Sequence, residues 1–252
     1  MDHTTPLCQS KNSTIHNQNS MCGIAFAQDP NLIEPPARRG PDEATVTTMI
    51  INSIEYTLFF NRLNVYAAAK GRQPFKLKGL DGNDVFSATN GELYNHKDLD
   101  NCIGDAFVSC INNEELSMDL LCFGSAHEAA RGSGHRDAKI GALTMMRLWR
   151  DYYDSQRDSD CRVLPYLILL FGIERAFNMI RGVFASVTVI SDYVVLARDV
   201  YGVRPLYWGH DQNGNLVAVS SPNCIKDPAS VPDLRQFPPG KVLVWSAAAR
   251  RE

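Results

Sequence analysis

A cysteine near the N-terminus has neighbours that suggest a chemical role. In NSMCGIAF, residues Asn19–Phe26, a Met-Cys-Gly-Ile run typical of a chain start lies twenty residues into the sequence. A cysteine thiol is a strong nucleophile, but it needs a base to form a thiolate near neutral pH. A chain that begins at Cys22 carries its own base, because an unperturbed α-amino group has a pKa of about 7.7–8.0. Cys22 is therefore a candidate nucleophile, with an inert cysteine on a buried strand as the alternative.

The residues before Cys22 decide whether this base exists. They are rich in Ser, Thr, Asn and Gln, and they have neither the apolar core of a signal peptide nor the arginines of a transit peptide. We interpret residues 1–21 as a flexible leader that is removed or precedes the true start. With the leader attached, the Cys22 nitrogen is an amide and the base is lost. Met21 is then either the true first residue or the residue before a processing cut.

The elements that would position Cys22 follow the order strands, helices, strands. Alternating apolar runs and turn residues predict strands at CGIAFA, TVTTMII, YTLFFNRLNVY and DVFSATNGELYN, and again at GVFASVTVI, YVVLARD, RPLYWG, LVAVSS and KVLVW. SDY and DQNGN are typical of hairpin turns. Helical spacing of Ile140, Leu143, Leu148 and Tyr152 predicts one helix, and Pro165 fits the first turn of another through Phe177. Residues from about Asp98 to Gly134 show no firm period, which predicts an irregular insertion.

Composition limits the function classes. The 252 residues are 44% hydrophobic and 21% charged with a net charge of −3, so we expect a globular domain and no nucleic-acid partner. The most apolar run, VLPYLILLFGI, is about half the length of a bilayer span, which argues against a membrane protein. Seven scattered cysteines without a C-x-x-C pair and six histidines without a close ligand pair predict no disulfide framework and no metal. The cytoplasm is the expected location.

Several short segments together resemble one known family. In order they are MCGIAFA, RRGPDE, FNRLNV, RQPF, NGELYNH, RGVFA and LARDVYGVRPLYWG. They are similar to the class II glutamine amidotransferases, which are N-terminal-nucleophile (Ntn) hydrolases, and RGPD resembles the glutaminase domain of asparagine synthetases most. The resemblance implies an α+β fold, a four-layer αββα sandwich of two stacked, mainly antiparallel sheets flanked by helices. It places this domain at residues 22–246, with the insertion at about 98–134 and a tail at 247–252.

The resemblance also implies a set of site residues. Cys22 would attack the side-chain amide of L-glutamine, and Asn90 with the Gly91 N–H would stabilise the oxyanion. Arg62 would bind the α-carboxylate, and Glu92 and Asp137 the α-ammonium group. From the residues alone, Arg62 also fits a solvent-facing strand, Asn90-Gly91 a hairpin turn, and Asp137 a helix cap. Arg198, Asp199, Gly202 and Pro205 are expected to shape a turn beneath the site.

Three functions follow from these observations. The first is a glutaminase that forms a Cys22 thioester, needs no cofactor, and passes ammonia to a separate ATP-dependent synthetase subunit for asparagine synthesis, since no Ser-Gly-Gly-x-Asp-Ser nucleotide loop occurs in the sequence. The second is a non-catalytic module that binds glutamine or a protein partner, with Cys22 blocked by the leader. The third is an amidohydrolase for another amide, because Arg62 and Glu92 specify an amino-acid end but not the length of the side chain.

Overall fold

A computed structural model describes the protein at residues 21–36, 38–51, 53–63, 71–79, 82–112, 136–155 and 159–246, with only the backbone described at 111, 112, 136–144 and 155. The strands are β1 (Gly23–Ala27), β2 (Glu43–Ile51), β3 (Ile54–Arg62), β4 (Phe75–Lys78), β5 (Asp84–Leu93), β6 (Gly182–Ile190), β7 (Tyr193–Arg198), β8 (Tyr207–His210), β9 (Leu216–Val219), β10 (Arg235–Gln236) and β11 (Val242–Ser246). Between β5 and β6, the described residues form the α-helices α1 (His96–Asn112), α2 (Arg136–Ser155), α3 (Val163–Phe171) and α4 (Ile173–Met179). The predicted leader up to residue 20, residues 113–134 of the insertion and the tail lie outside the described residues.

The strands form two antiparallel sheets. One has six strands in the order β10-β8-β9-β1-β3-β2, and the other has five in the order β11-β7-β6-β5-β4. Neighbouring strands pair antiparallel, as in β1 with β3 and β5 with β6. Each predicted strand and both predicted hairpin turns are found in the structure. Residues 64–66 of the predicted strand YTLFFNRLNVY lie outside the described residues, and the strand predicted at RPLYWG begins only at Tyr207. The short strands β4 and β10 were not predicted.

The sheets stack face to face because alternate residues of their central strands are apolar. Ile24 and Phe26 of β1 belong to the same buried cluster as Phe86 of β5 and Val187 of β6. The other face of the five-stranded sheet is covered by the helices, through Leu99, Phe107, Tyr152 and Leu167 among others. The predicted α+β fold of stacked antiparallel sheets with flanking helices is confirmed. Within the described residues, the outer face of the six-stranded sheet packs against loops and short 3₁₀ helices. These segments contribute Ile33, Cys224, Ile225 and Val231.

Helix α1 corrects the prediction of an irregular segment after Asp98. Leu99, Ile103, Phe107 and Cys110 are buried on one face of this helix, at the spacing that an amphipathic helix requires. The three helical turns that they mark pack against α2 and α3. The prediction was wrong for residues 98–112, because Asn, Gly, Ser and Cys between the apolar positions favour helix weakly and conceal the period.

The helix predicted from Pro165 to Phe177 is divided in two. Gly172 ends α3 with a φ of 80° and precedes the first residue of α4. A positive φ of this size favours glycine, so the break has a local cause. Leu148 and Tyr152 of α2 are buried as predicted, whereas the side chains of Ile140 and Leu143 lie outside the described residues.

Candidate active site

One cavity of about 320 Å³ lies where the start of β1 meets the ends of β3 and β5. This volume is in the range of small-molecule sites, which begin at about 300 Å³. Five of the six predicted site residues line it, namely Cys22, Arg62, Asn90, Gly91 and Glu92. The sixth, Asp137, lies in the first turn of α2, and its side chain is outside the described residues. Asp160 and Arg204 also line the cavity, and neither was predicted to do so.

The Cys22 thiol is half-buried just before β1. The backbone N–H of Leu63, which follows β3, donates to its Sγ at 3.3 Å. Burial raises the pKa of the Cys22 thiol above its ordinary value. The Leu63 N–H and the charges of Arg204, Arg62 and Arg39 act in the opposite direction without cancelling the effect. The thiol therefore needs a base to react near neutral pH.

The RGPD segment fixes the backbone around this cysteine. Arg39 is 5% exposed, and its Nε donates to the Cys22 carbonyl at 3.0 Å while Nη1 donates to the Ser220 carbonyl at 3.1 Å. The Gly40 N–H donates to the Met21 carbonyl at 2.8 Å. Burial lowers the pKa of Arg39 from its ordinary value. The RGPD segment therefore has a structural role beyond that of a turn, because the Arg39 guanidinium links the start of β1 to the end of β9.

Gly23 allows another group to approach Cys22 closely. That group is Pro36, whose Cβ and Cγ would lie 2.5 Å from a Cβ at this position. Any side chain at residue 23 would push Pro36 and the neighbouring Arg39 away from Cys22.

Asn90 and Gly91 lie inside β5 rather than in a hairpin turn. They pair with Ala185 and Phe184 of β6, which excludes the alternative interpretation of Asn-Gly. Asn90 is 1% exposed, and its Nδ2 has no acceptor among the described residues. A buried amide donor without a partner costs about 1–3 kcal/mol, so a donor of this kind at a cavity wall is suited to an oxygen that develops negative charge. A Cβ at Gly91 would overlap the Val183 carbonyl oxygen, which explains the glycine.

Two carboxylates, Glu92 and Asp160, line the cavity. Asp160 precedes α3 in a short 3₁₀ helix, and its Oδ2 accepts the Leu93 N–H at 2.6 Å. Ser159 caps this 3₁₀ helix by accepting the Cys161 N–H at 3.3 Å. The sequence therefore contained a Ser-Asp pair, Ser159-Asp160, shortly before a predicted helix. This pair was the feature from which Asp160 could have been predicted as a cavity residue.

Arg62 ends β3, and its side chain is 12% exposed. Its Nη1 lies 3.7 Å from Glu43 Oε2, and the other oxygen of Glu43 accepts from Arg72 Nε at 2.7 Å. The alternative of a solvent-facing arginine is therefore wrong. A partly buried guanidinium at a cavity wall is suited to bind a carboxylate.

The stretch from Arg198 to Pro205 forms a rigid turn, as its sequence predicts. The Arg198 guanidinium donates to the carbonyls of Gly202, Arg204 and Phe237 at 2.5, 2.8 and 2.7 Å. Asp199 accepts the N–H groups of Phe184 and Tyr201 at 3.0 and 2.9 Å. Gly202 has a φ of 62°, in the left-handed region that favours glycine. The turn places Arg204 at the cavity, with Nη2 3.8 Å from Glu92 Oε1.

Among the described residues, His, Cys, Asp and Glu side chains do not cluster in threes that could hold a metal ion. The helices in this part of the chain are all too short or too polar to span a membrane.

Sequence comparisons identify relatives of known activity. A family model described as a glutamine amidotransferase domain matches residues 144–227. A probable glutamine-hydrolysing asparagine synthetase of Acanthamoeba polyphaga mimivirus is 26% identical over 194 residues, which are 76% of this chain and 26% of that protein. The chloroplastic amidophosphoribosyltransferase 1 of Arabidopsis thaliana is 34% identical over 171 residues, 61% of this chain and 29% of that protein. The chain thus spans less than a third of the length of these relatives.

A comparison with solved structures found the following match. The glutamine phosphoribosylpyrophosphate amidotransferase of B. subtilis, complexed with ADP and GMP, is 16% identical to the chain. The match covers 92% of this chain and 42% of that one, with a TM-score of 0.45.

Proposed function

We infer that this chain, which belongs to the class II glutamine amidotransferases, hydrolyses L-glutamine to glutamate and ammonia through a thioester on Cys22. The observation that carries the proposal is the content of one cavity. A thiol, an unpartnered amide donor, a partly buried arginine and two carboxylates line it together. These are the groups that attack on an amide and recognition of an amino acid require.

The charged groups would hold the amino-acid end of the substrate. The Arg62 guanidinium fits the α-carboxylate, because its planar donors match two carboxylate oxygens. Glu92 and Asp160 fit the α-ammonium group. Asp160 is preferred to Asp137 here, because the Leu93 N–H fixes its carboxylate at the cavity wall. This arrangement would direct the side-chain amide of glutamine towards Cys22.

The reaction would proceed in two steps. The Cys22 sulfur attacks the amide carbon, and the oxygen gains negative charge that Asn90 Nδ2 and the Gly91 N–H stabilise. Ammonia leaves with the proton taken from the thiol, and a thioester remains. A water molecule then attacks the thioester, so that glutamate leaves and the thiol is restored.

The base for both steps is the α-amino group of Cys22 in a chain that begins there. Since burial raises the pKa of the thiol, a base close to the sulfur is required. The peptide bond to Met21 removes that base. The proposal therefore includes loss of residues 1–21 before activity.

The ammonia acceptor is proposed by analogy with the relatives. The mimivirus and E. coli proteins are described as glutamine-hydrolysing asparagine synthetases, and the match covers only 26% and 28% of their lengths. We propose that a separate ATP-dependent synthetase unit receives the ammonia for asparagine synthesis. An amidophosphoribosyltransferase-type acceptor is the alternative that the other relatives favour.

The test joins the mature N-terminus to activity. Intact mass and Edman sequencing identify the first residue, and glutamate and ammonia are measured with L-glutamine and with L-asparagine as the shorter amide. We expect Cys22 at the terminus, equal amounts of glutamate and ammonia from glutamine, and loss of both in Cys22→Ala. Activity that persists in folded Cys22→Ala would contradict the proposal.

A second function, a non-catalytic binding module, is favoured by the anchoring of Met21. Its carbonyl accepts from the Gly40 N–H, and its Sδ lies 3.4 Å from Arg39 Nη2, so Met21 is held beside the cavity. If Met1 is retained in the mature protein and calorimetry detects glutamine binding without turnover, this function replaces the first.

A further inference from the structure

Arg204 is a cavity residue whose charge has few partners. Its side chain is 19% exposed, and its Nε has no acceptor among the described residues. Its Nη2 lies 3.8 Å from Glu92 Oε1, well beyond the 2.7–2.9 Å or so of a direct charge-assisted hydrogen bond. The Arg204 guanidinium can therefore stabilise a further negatively charged group in the cavity.

The backbone holds this arginine in place. Arg198 Nε donates to the Arg204 carbonyl at 2.8 Å, and Asp199 fixes the preceding residues of the turn. Arg198 and Asp199 are 6% and 3% exposed, so the clamp is part of the core. An arginine whose backbone is fixed in this way loses less conformational entropy when its side chain binds a ligand.

The charged and titratable groups around Cys22 come from several elements. Those that line the cavity are Arg62, Glu92, Tyr94, His96, Asp160, Cys161 and Arg204, and Arg39 contacts the Cys22 carbonyl from the RGPD segment. Burial raises the pKa of the Cys22 thiol, and among the side chains Arg204 opposes this effect most, followed by Arg62 and Arg39. Arg62 also forms an ion pair with Glu43. Arg204 is therefore the main positive charge that acts on the Cys22 sulfur.

We propose that Arg204 is a positioning residue of this site: its charge favours the Cys22 thiolate, and it holds the Glu92 carboxylate at the cavity wall until a substrate ammonium group replaces it. The exchange requires little energy, because the Arg204–Glu92 contact is long and Glu92 is half-exposed. The part about Glu92 rests on the proposed function. The part about the thiolate does not, and it can be tested without glutamine.

The first experiment measures alkylation of Cys22 by iodoacetamide against pH in the full chain, with the modified peptide quantified by mass spectrometry. Only the thiolate reacts, so the midpoint of the profile reports the pKa of the thiol. We expect Arg204→Gln to raise this midpoint by roughly half to one pH unit, because an attractive charge is lost. Arg204→Lys keeps the charge and should leave the midpoint within about 0.2 unit of the wild type.

Two other variants complete the first experiment. Arg175→Gln is the matched control, because Arg175 is an exposed arginine on α4, outside the cavity, and it should not move the midpoint. Glu92→Gln should lower the midpoint, since the charge of Arg204 then acts on the sulfur alone. This variant keeps the proposal testable if Arg204→Gln does not fold.

The second experiment measures glutamine turnover against pH with the chain processed to Cys22. At neutral pH, Arg204→Gln should lower kcat/KM about threefold to tenfold, the change that half to one pH unit of thiol pKa implies. Activity should recover as the pH rises, which a folding defect would not produce.

The outcomes separate the two proposals. A midpoint in folded Arg204→Gln within about 0.2 unit of the wild type, or an equal shift in Arg204→Lys, would overturn the role of Arg204. The expected shifts without any turnover of glutamine by the chain processed to Cys22 would support Arg204 and reject the proposed function.

Discussion

At the scale of single residues, Asn90 offers the sharpest test of catalysis. Because its Nδ2 has no acceptor among the described residues, we expect Asn90→Ala to cost little stability. If the amide stabilises the oxyanion, kcat should fall about 10²- to 10³-fold with little change in KM. Steady-state kinetics and urea unfolding measure the two effects.

Asn95 is the matched control for this test. Its Nδ2 donates to the Met179 carbonyl at 2.9 Å, and its Oδ1 accepts the Arg181 N–H at 2.8 Å. Asn95→Ala should therefore lose about 1–2 kcal/mol of unfolding free energy and keep its kcat. An Asn90→Ala enzyme with normal kcat would exclude the oxyanion role.

A comparison of two aspartates tests which one binds the α-ammonium group of glutamine together with Glu92. Asp160→Asn removes a carboxylate from the cavity wall, so we expect KM for glutamine to rise roughly 10- to 100-fold, as for a lost charge-assisted hydrogen bond. Asp137→Asn should leave KM unchanged. The opposite result would restore the role that the sequence predicted for Asp137.

At the scale of secondary-structure elements, the Arg39 clamp positions the start of β1. Arg39→Lys keeps the charge but loses the fork that joins the carbonyls of Cys22 and Ser220. We expect kcat to fall about tenfold or more, because a small displacement of a nucleophile is costly. Arg38→Lys is the control, since Arg38 is exposed. Equal kinetics for the two variants would show that the clamp does not position Cys22.

Elements were predictable where their period was clean. β5 and β6 are long runs bounded by turn residues, so both were found. Asn90, Gly91 and Glu92 were predicted as site residues only from the family resemblance, because Asn-Gly by itself favours a hairpin turn. Helix α1 was missed because polar and small residues interrupt its apolar face. Asp160 was not predicted because Asp137 also lies near the start of a helix. The feature that distinguishes Asp160 is the packing of its 3₁₀ helix against β5, which is a tertiary contact.

Arg204 was missed for a different reason. Its stretch was correctly predicted to build a turn, but a turn in a sequence does not specify which cavity its side chains enter. That placement depends on Arg198 and on the stacking of two sheets, both of which are tertiary. A single sequence shows which residue types are present, whereas the contacts between distant segments determine their roles.

At the scale of the whole molecule, the helices and the sheets depend on one shared core. Phe107 of α1 is fully buried and contacts Trp149, Tyr152 and Tyr166 through its ring. Phe107→Ala should lower the free energy of unfolding by about 3–5 kcal/mol. The exposed Val108 provides the control, because Val108→Ala should change it by less than about 0.5 kcal/mol. Urea unfolding measures both, and a small loss in Phe107→Ala would mean that α1 contributes little to the core.

Under the proposed mechanism, the chain hydrolyses glutamine only if Cys22 becomes the first residue. We expect a variant with Met1 and residues 2–21 retained to release no ammonia from glutamine, and a chain started at Met21 and processed to Cys22 to be active. His96 also lines the cavity, and its Nδ1 lies 3.0 Å from the Leu93 carbonyl. Histidine is the most frequent general base in enzymes, so His96 is the alternative to the α-amine. If the unprocessed chain is active and His96→Asn abolishes that activity, the base is His96 and the α-amine mechanism is wrong.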